Sequence, residues 1–235
     1  MTLAEIFEQL TYGELSSLKM GGFAGEEVSE ENQRQVLAHI NIALNELYKR
    51  FFLSSKQLMV ELYDHISLYK LHSNFAVQNR LSGERYKYII DSEYDPFQDD
   101  ILKIEEVFNS DGCKVCLNDL NEPCSLFTPH YDTLQVPLPF EGSFISVHYR
   151  ASHPRLKYSK GMDPEKIEVN IPEGLLEALL LYVGYRATRS MGGETGQEGT
   201  QYLELFEASC AKARELGMQI TPQYSNLKLD YRGWV

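Results

Sequence analysis

Phe144-Ile-Ser-Val-His-Tyr-Arg-Ala151 decides how the middle of this chain is read. Ile145, Val147 and Tyr149 alternate with Ser146 and His148, the two-residue period of a strand with one buried face. Working outward, Gln57–Tyr63, Ile66–Leu71, Ile101–Phe108, Leu134–Leu138 and Ile167–Ile171 are also short and rich in β-branched or aromatic residues. Turn chemistry separates them, and Asp111-Gly112 suits a hairpin between Val107-Phe108 and Val115. The span Ser54–Ile171 is therefore predicted to be β-rich.

On either side the period changes to that of a helix. Val36, Ile40, Ala43, Leu47 and Phe51 make one apolar stripe over Asn32–Phe52, with Ser29 placed to cap it and Lys49-Arg50 at its end. Leu176, Leu180, Val183, Ala187 and Met191 repeat the pattern over Pro172–Met191, before the stop Gly192-Gly193. A third helix is expected from Gly196 to Leu216, with Tyr202, Phe206, Ser209, Ala213 and Leu216 on one face and Thr195 and Glu198 as a capping box. A shorter one is expected near Tyr12–Lys19. The predicted fold class is α+β. Helices of residues 1–53 and 172–217 form a helical bundle, 54–171 are an inserted β-rich domain, and 218–235 are an extended C-terminal arm.

Composition narrows function. Hydrophobic residues are 43% and charged residues 24%, as in a folded domain, and 34 acids against 22 Lys plus Arg leave a net charge of −12. A duplex-DNA binder needs clustered cations to displace counterions, so this balance argues against one, but not against a protein that DNA passes without sticking. No signal peptide is visible in Met1–Leu10, and the most apolar window, Leu175–Val183, is too short to span a bilayer. Four Cys make no disulfide framework, which points to synthesis in a reducing host cytoplasm. Fifteen Tyr against one Trp suit surfaces that become covered on assembly.

The sharpest metal motif is Cys113-Lys-Val-Cys116, followed by Cys124 and His130. Zinc favours paired thiolates on a knuckle, but Cys124 and His130 are separated by Pro129 and form no second close pair. The preferred reading is therefore a pair of small apolar residues in a hairpin, and no metal is expected. Asp95, Asp99 and Asp100 could be drawn as a two-metal carboxylate site, but Glu93-Tyr-Asp-Pro-Phe97 is more simply a turn. His65, His72, His148 and His153 lack ligand spacing, and no nucleophile elbow, phosphate loop or dinucleotide fingerprint occurs. Neither catalytic residues nor a cofactor are expected. The acidic run Glu26-Glu27-Val-Ser-Glu30-Glu31 is read as a solvated helix start.

The C-terminal arm carries the remaining signal. Ile220, Tyr224, Leu227, Leu229, Tyr231 and Trp234 crowd the last residues after the linker-like Thr221-Pro-Gln-Tyr-Ser-Asn226. An end this apolar is read as an anchor on another subunit or protein, with Tyr224, Leu227, Leu229, Tyr231, Arg232, Trp234 and Val235 as its binding residues.

Several segments together resemble the head-to-tail connector, or adaptor, proteins of short-tailed bacteriophages. They are Leu10-Thr-Tyr-Gly-Glu-Leu-Ser-Ser-Leu18, Ile40-Asn-Ile-Ala-Leu-Asn-Glu-Leu-Tyr-Lys-Arg-Phe51, Leu126-Phe-Thr-Pro129, Ile145–Ala151, Ile171-Pro-Glu-Gly-Leu-Leu-Glu-Ala-Leu-Leu-Leu-Tyr-Val183 and Lys228-Leu-Asp-Tyr-Arg-Gly-Trp-Val235. The resemblance implies a homo-oligomeric ring, typically a dodecamer, beneath the portal protein in the neck of the virion. The ring would extend the channel for double-stranded DNA and offer a platform to the tail nozzle (the tail tubular protein) and to tail fibres. It further implies that helices line the ring, that the β-region points outward or tailward and that the arm reaches the portal. No membrane is involved and no catalytic residue is carried over. Two other readings remain open: a phage tail-completion or assembly factor, and a metal-dependent hydrolase.

Overall fold

The computed structural model describes residues 1–16, 30–77, 87–92, 94–191 and 196–218. The described chain is a mixed α+β fold of four helices, a six-stranded sheet and a three-stranded sheet. It divides into two compact units, one of residues 1–53 and 153–218, the other of Ser54–Ser152.

The β unit is built around β9 (Phe144–Ala151), flanked on one side by β1 (Ser55–Glu61) and on the other by β5 (Ile101–Asn109). Both pairings are antiparallel, with Val60 opposite Ile145 and Val107 opposite Val147. In β9 the alternation holds throughout: Ile145, Val147, Tyr149 and Ala151 are buried. β5 does not alternate. Its apolar Ile101, Ile104 and Val107 are three residues apart, and register shifts at Ile101/Lys103 and Ile104/Glu106 each insert a residue and return the next apolar side chain to the core.

The sheet is completed by β4 (Ile89–Ile90), β3 (Ala76–Val77) and β6 (Lys114–Val115), in the order β3-β4-β1-β9-β5-β6. Gly112, with φ +75°, closes the β5–β6 hairpin in the left-handed region. β2 (Leu68–Lys70), β8 (Thr133–Gln135) and β7 (Phe127–His130) form the smaller sheet, and its Tyr69 and Leu134 share one core with Val60, Ile104 and Val147.

Tyrosines fasten this core from within. The Tyr69 hydroxyl accepts from Tyr63 N–H at 2.8 Å and donates to the Tyr63 carbonyl at 3.1 Å. The Tyr88 hydroxyl donates to the Lys70 carbonyl at 2.8 Å, its ring stacked on Phe75 and edge-on to Tyr69. Tyr149 donates to Asp100 Oδ1 at 2.9 Å. Tyr69, Tyr88 and Tyr149 therefore serve as internal fasteners of this unit.

The helical unit holds α1 (Leu3–Tyr12), α2 (Glu30–Arg50), α3 (Leu176–Met191) and α4 (Gly196–Glu215). The helical bundle of N- and C-terminal helices that the sequence predicts is not evident. α2 packs on α3 and α3 on α4, but α1 is tied chiefly to the short 3-10 turn Pro164–Lys166 and the extended chain that follows it, with α3 next. Leu3 N–H donates to the Ile167 carbonyl, Val169 N–H donates to the Met1 carbonyl, and Thr2 bridges Glu168 in antiparallel fashion. Val169, Ile171 and Leu175 enter the same apolar core as Ile6, Ile40, Leu44 and Leu179, and extended chain fills positions that a regular bundle would give to helices.

Residues 153–171, expected within the β-rich insertion, thus pack with the helices. Asn41 of α2 straps them on: its Oδ1 accepts from Leu156 N–H and its Nδ2 donates to the Leu156 carbonyl, both at 2.9 Å. Tyr48 adds a 2.6 Å bond to the Asn170 carbonyl.

Other boundaries differ in smaller ways. The first helix is Leu3–Tyr12, and of the helix expected at Tyr12–Lys19, residues 13–16 form a turn and 17–19 lie outside the described residues; Thr2 and Glu5 form the capping box of α1 and Leu3, Ile6, Phe7 and Leu10 its buried stripe. Pro172 caps a 3-10 turn, Glu173–Leu175, that leads into α3. The cap residues Ser29 and Thr195 and almost all of the 218–235 arm lie outside the described residues. Met218 is described, and its N–H donates to the Ala213 carbonyl at 3.1 Å.

Candidate docking surface

Chain geometry at one end of the six-stranded sheet presents an apolar tip. β1 ends and β9 begins at the facing pair Glu61 and Phe144. Beyond that pair, Leu62 N–H donates to the Ser143 carbonyl at 2.9 Å and Gly142 N–H to the Leu62 carbonyl at 3.1 Å. Ser143 closes the turn again, its N–H and hydroxyl both donating to the Phe140 carbonyl, at 3.1 and 2.7 Å. Gly142 sits at φ +79°, a conformation that a Cβ would strain. On the other flank Val136 N–H donates to the Ser67 carbonyl at 2.8 Å.

Between these fastenings runs Pro137-Leu-Pro-Phe140, in which each proline fixes its own φ near −65°. Leu138 is 80% exposed and Phe140 78%, and Leu68 on β2 is half-exposed nearby in sequence to Ser67. A disordered loop can turn apolar groups inward, whereas a loop pinned at both ends holds these two out in water. Single exposed apolar residues are ordinary, but a rigid Leu–Phe pair has the form of an interface anchor. Glu141 is the one charged residue of the stretch Pro137–Ser143, so what this tip chiefly offers is apolar contact area.

The residues singled out from sequence are placed elsewhere and serve other ends. Cys113, Cys116 and Cys124 are exposed free thiols, and His130 is exposed at the end of β7. Asn109 Oδ1 accepts from Cys113 N–H at 2.8 Å, and the Cys116 carbonyl accepts from Leu126 N–H at 2.9 Å, so these positions are fixed by backbone bonds. Among the described residues no group of three or more His, Cys, Asp or Glu side chains is arranged to hold a metal.

The carboxylates of the 91–100 loop diverge in the same way. Asp99, in the left-handed region at φ 59°, accepts from both the N–H and the hydroxyl of Ser73 at 2.6 Å. Asp100 takes Tyr149 on one oxygen and Lys56 on the other, at 3.2 Å, and Lys56 also reaches Asp95 at 2.9 Å. Burial works against the Lys56 charge, but Asp95 and Asp100 outweigh it and hold the ammonium above its usual range. These acids pin a loop to the sheet.

The histidines are equally dispersed. His65 pairs with Asp64 on the surface, and His72 Nδ1 accepts from Asn74 N–H. His148 lies edge-on to Phe108 with its pKa depressed by burial. His153 is held neutral by burial: its Nδ1–H donates to the Pro154 carbonyl at 2.6 Å while Nε2 accepts from Asn170 N–H at 3.3 Å. Of the arm residues, Tyr224, Leu227, Leu229, Tyr231, Arg232, Trp234 and Val235 all lie outside the described residues.

Leu134–Leu138 reads as one strand from sequence, but β8 ends at Gln135 and the tip follows it. The signal was present, because Pro137 and Pro139 cannot donate to a sheet ladder and alternate with Leu138 and Phe140. None of the described helices is long and apolar enough to cross a membrane. Compared with known proteins, the chain matches no protein-family model and no curated protein.

Proposed function

We propose that this chain is a structural connector of a short-tailed phage virion, joining portal to tail nozzle as one of a ring of identical copies. The observation that carries the reading is the pinned Leu138–Phe140 tip, an apolar anchor held ready for a protein partner. It is supported by the resemblance of the quoted segments to head-to-tail connectors and by the net charge of −12. Like charge keeps duplex DNA from adhering to a conduit it must traverse, and repetition around an axis multiplies that field. Partners are then the portal, the tail nozzle and neighbouring copies, with the C-terminal arm as a further anchor.

Replacing Leu138 and Phe140 together by Ser tests the reading in the phage itself. Both side chains are exposed, so the variant should fold with stability within about 0.5 kcal/mol of the parent. Particles made with it should lack the chain by mass spectrometry and remain tailless. Normal incorporation of the variant, or absence of the wild-type chain from purified virions, would contradict the proposal.

A further inference from the structure

The helical unit carries two surface features of opposite charge. The first is a cleft of about 630 Å³ between α1 and the turn Pro164–Lys166. The buried Phe7 and the exposed Tyr12 give it apolar lining, and Glu5, Glu8, Asp163 and Glu165 give it four carboxylates. No Lys, Arg or His is among the described residues that line it. Two of the acids are engaged: Glu5 accepts from Thr2 N–H at 3.0 Å, and Asp163 pairs with Lys166 at 2.8 Å. Glu8 and Glu165 are exposed and make no ion pair among the described residues.

The second feature is the segment Arg155-Leu-Lys-Tyr-Ser-Lys160. In a chain with 34 acids, no Asp or Glu occurs between Glu141 and Asp163, so its three cations have no carboxylate close by in sequence. The segment is held in place at both ends. Leu156 packs on the helical core and is bonded twice to Asn41 of α2, while Arg155 and Lys157 on either side of it are exposed. Met162 N–H donates to the Ser159 carbonyl at 3.1 Å and Gly161 turns at φ +75°, which fixes the exposed Lys160. Tyr158, between the lysines, is 38% exposed. None of the three cations makes an ion pair among the described residues.

The two features match in charge and in character. One sets cations around an exposed tyrosine, and the other sets carboxylates around Phe7 and Tyr12. Copies that carry −12 each repel at a distance, so a contact between neighbours has to place cation against carboxylate locally. We propose that the Arg155–Lys160 segment of one copy seats in the α1 cleft of a second copy. Its cations pair with Glu8 and Glu165, and Tyr158 lies against the apolar lining. Segment and cleft are different surfaces, so the contact is heterologous and leaves each copy one of each to offer, as a closed ring requires. The inference rests on the ring of the connector reading and names the seam between its members. Exposed ion pairs are individually weak, which keeps the free chain largely monomeric until a portal gathers the copies.

Zero-length carbodiimide cross-linking of the purified chain, with no portal present, tests the contact. An equal mixture of isotopically light and heavy chain at high protein concentration and low salt should give light–heavy peptide pairs. These should join Lys157 or Lys160 to Glu8 or Glu165, and should be lost at high salt. Sedimentation of two charge-reversed proteins, Glu8→Lys with Glu165→Lys and Arg155→Glu with Lys157→Glu, supplies the second readout. Both change exposed side chains only, so both should fold. Each alone should lose the weak association of the wild type, and an equal mixture of the two should regain it. Cross-links confined to one isotope would mean that the segment serves the cleft of its own chain and would overturn the proposal. Absence of these cross-links, association that survives either reversal, or a mixture that stays monomeric would overturn it as well. Because no portal is present, failure of the seam is told apart from failure of the connector reading, which is judged on portal docking.

Discussion

Asn41→Ala measures how firmly residues 153–171 belong to the helical unit. The Asn41 amide makes two bonds across the chain to the Leu156 backbone, at 2.9 Å each, besides one to Leu37 within its own helix. At about 1 kcal/mol for each inter-segment bond the loss is about 2 kcal/mol. Alanine is a better helix former than asparagine by about 0.5 kcal/mol, which offsets part of it. The net destabilisation is thus about 1.5 kcal/mol, read as a lower urea midpoint by circular dichroism at unchanged m. Hydrogen exchange should localise the effect: the Leu156 amide loses about tenfold in protection, while amides of β9 serve as the reference. A change below about 0.5 kcal/mol with Leu156 exchange unaltered would refute the strap, and with it the placing of this segment among the helices.

Three other outcomes follow from named contacts. Burial lifts Tyr48 and Tyr88 to about 12 and Tyr149 higher still, so a spectrophotometric titration should leave three of the fifteen tyrosines protonated through pH 11 in the folded protein. Early ionisation of all fifteen would contradict the fastened core. In thiol labelling of native protein, Cys113, Cys116 and Cys124 should react at once and the buried Cys210, its thiol pushed up by burial, only on unfolding; slow reaction of the first three would show them covered or metal-bound. His153 has a folded pKa below the unfolded 6.5, so the unfolded chain takes the proton first. Its contribution is present in full above pH 6.5 and is lost as pH falls below that, and His153→Ala should flatten the acid limb of a stability–pH curve. An unchanged acid limb would mean that His153 is not held neutral.

The sequence made some of this legible and hid the rest for physical reasons. β9 could be read because every inward residue is apolar and no bulge breaks the period. β5 could be seen as a strand, but its Ile101, Ile104 and Val107 spacing fits neither period until two register shifts are known. α2, α3 and α4 are legible by their length, whereas the ten-residue α1 carries a single short stripe, Leu3, Ile6, Phe7 and Leu10, too brief to stand out by period. The bundle expectation failed because Ile167, Val169 and Ile171 look like a strand, and only tertiary contact assigns them to the helical core. The docking tip was written in Pro137 and Pro139.

The central claim is that this chain assembles onto a portal, and electron microscopy tests it most directly. The purified chain would be imaged alone and after mixing with the portal assembly of a short-tailed phage, the partner that the proposed function names. Alone it should be monomeric or weakly associated, since copies carrying −12 each repel one another. Mixed, it should add a ring of density coaxial with the portal, and the Leu138→Ser, Phe140→Ser protein should not. Folded wild-type chain that leaves the portal bare, or that closes into a stable ring without it, would contradict the account.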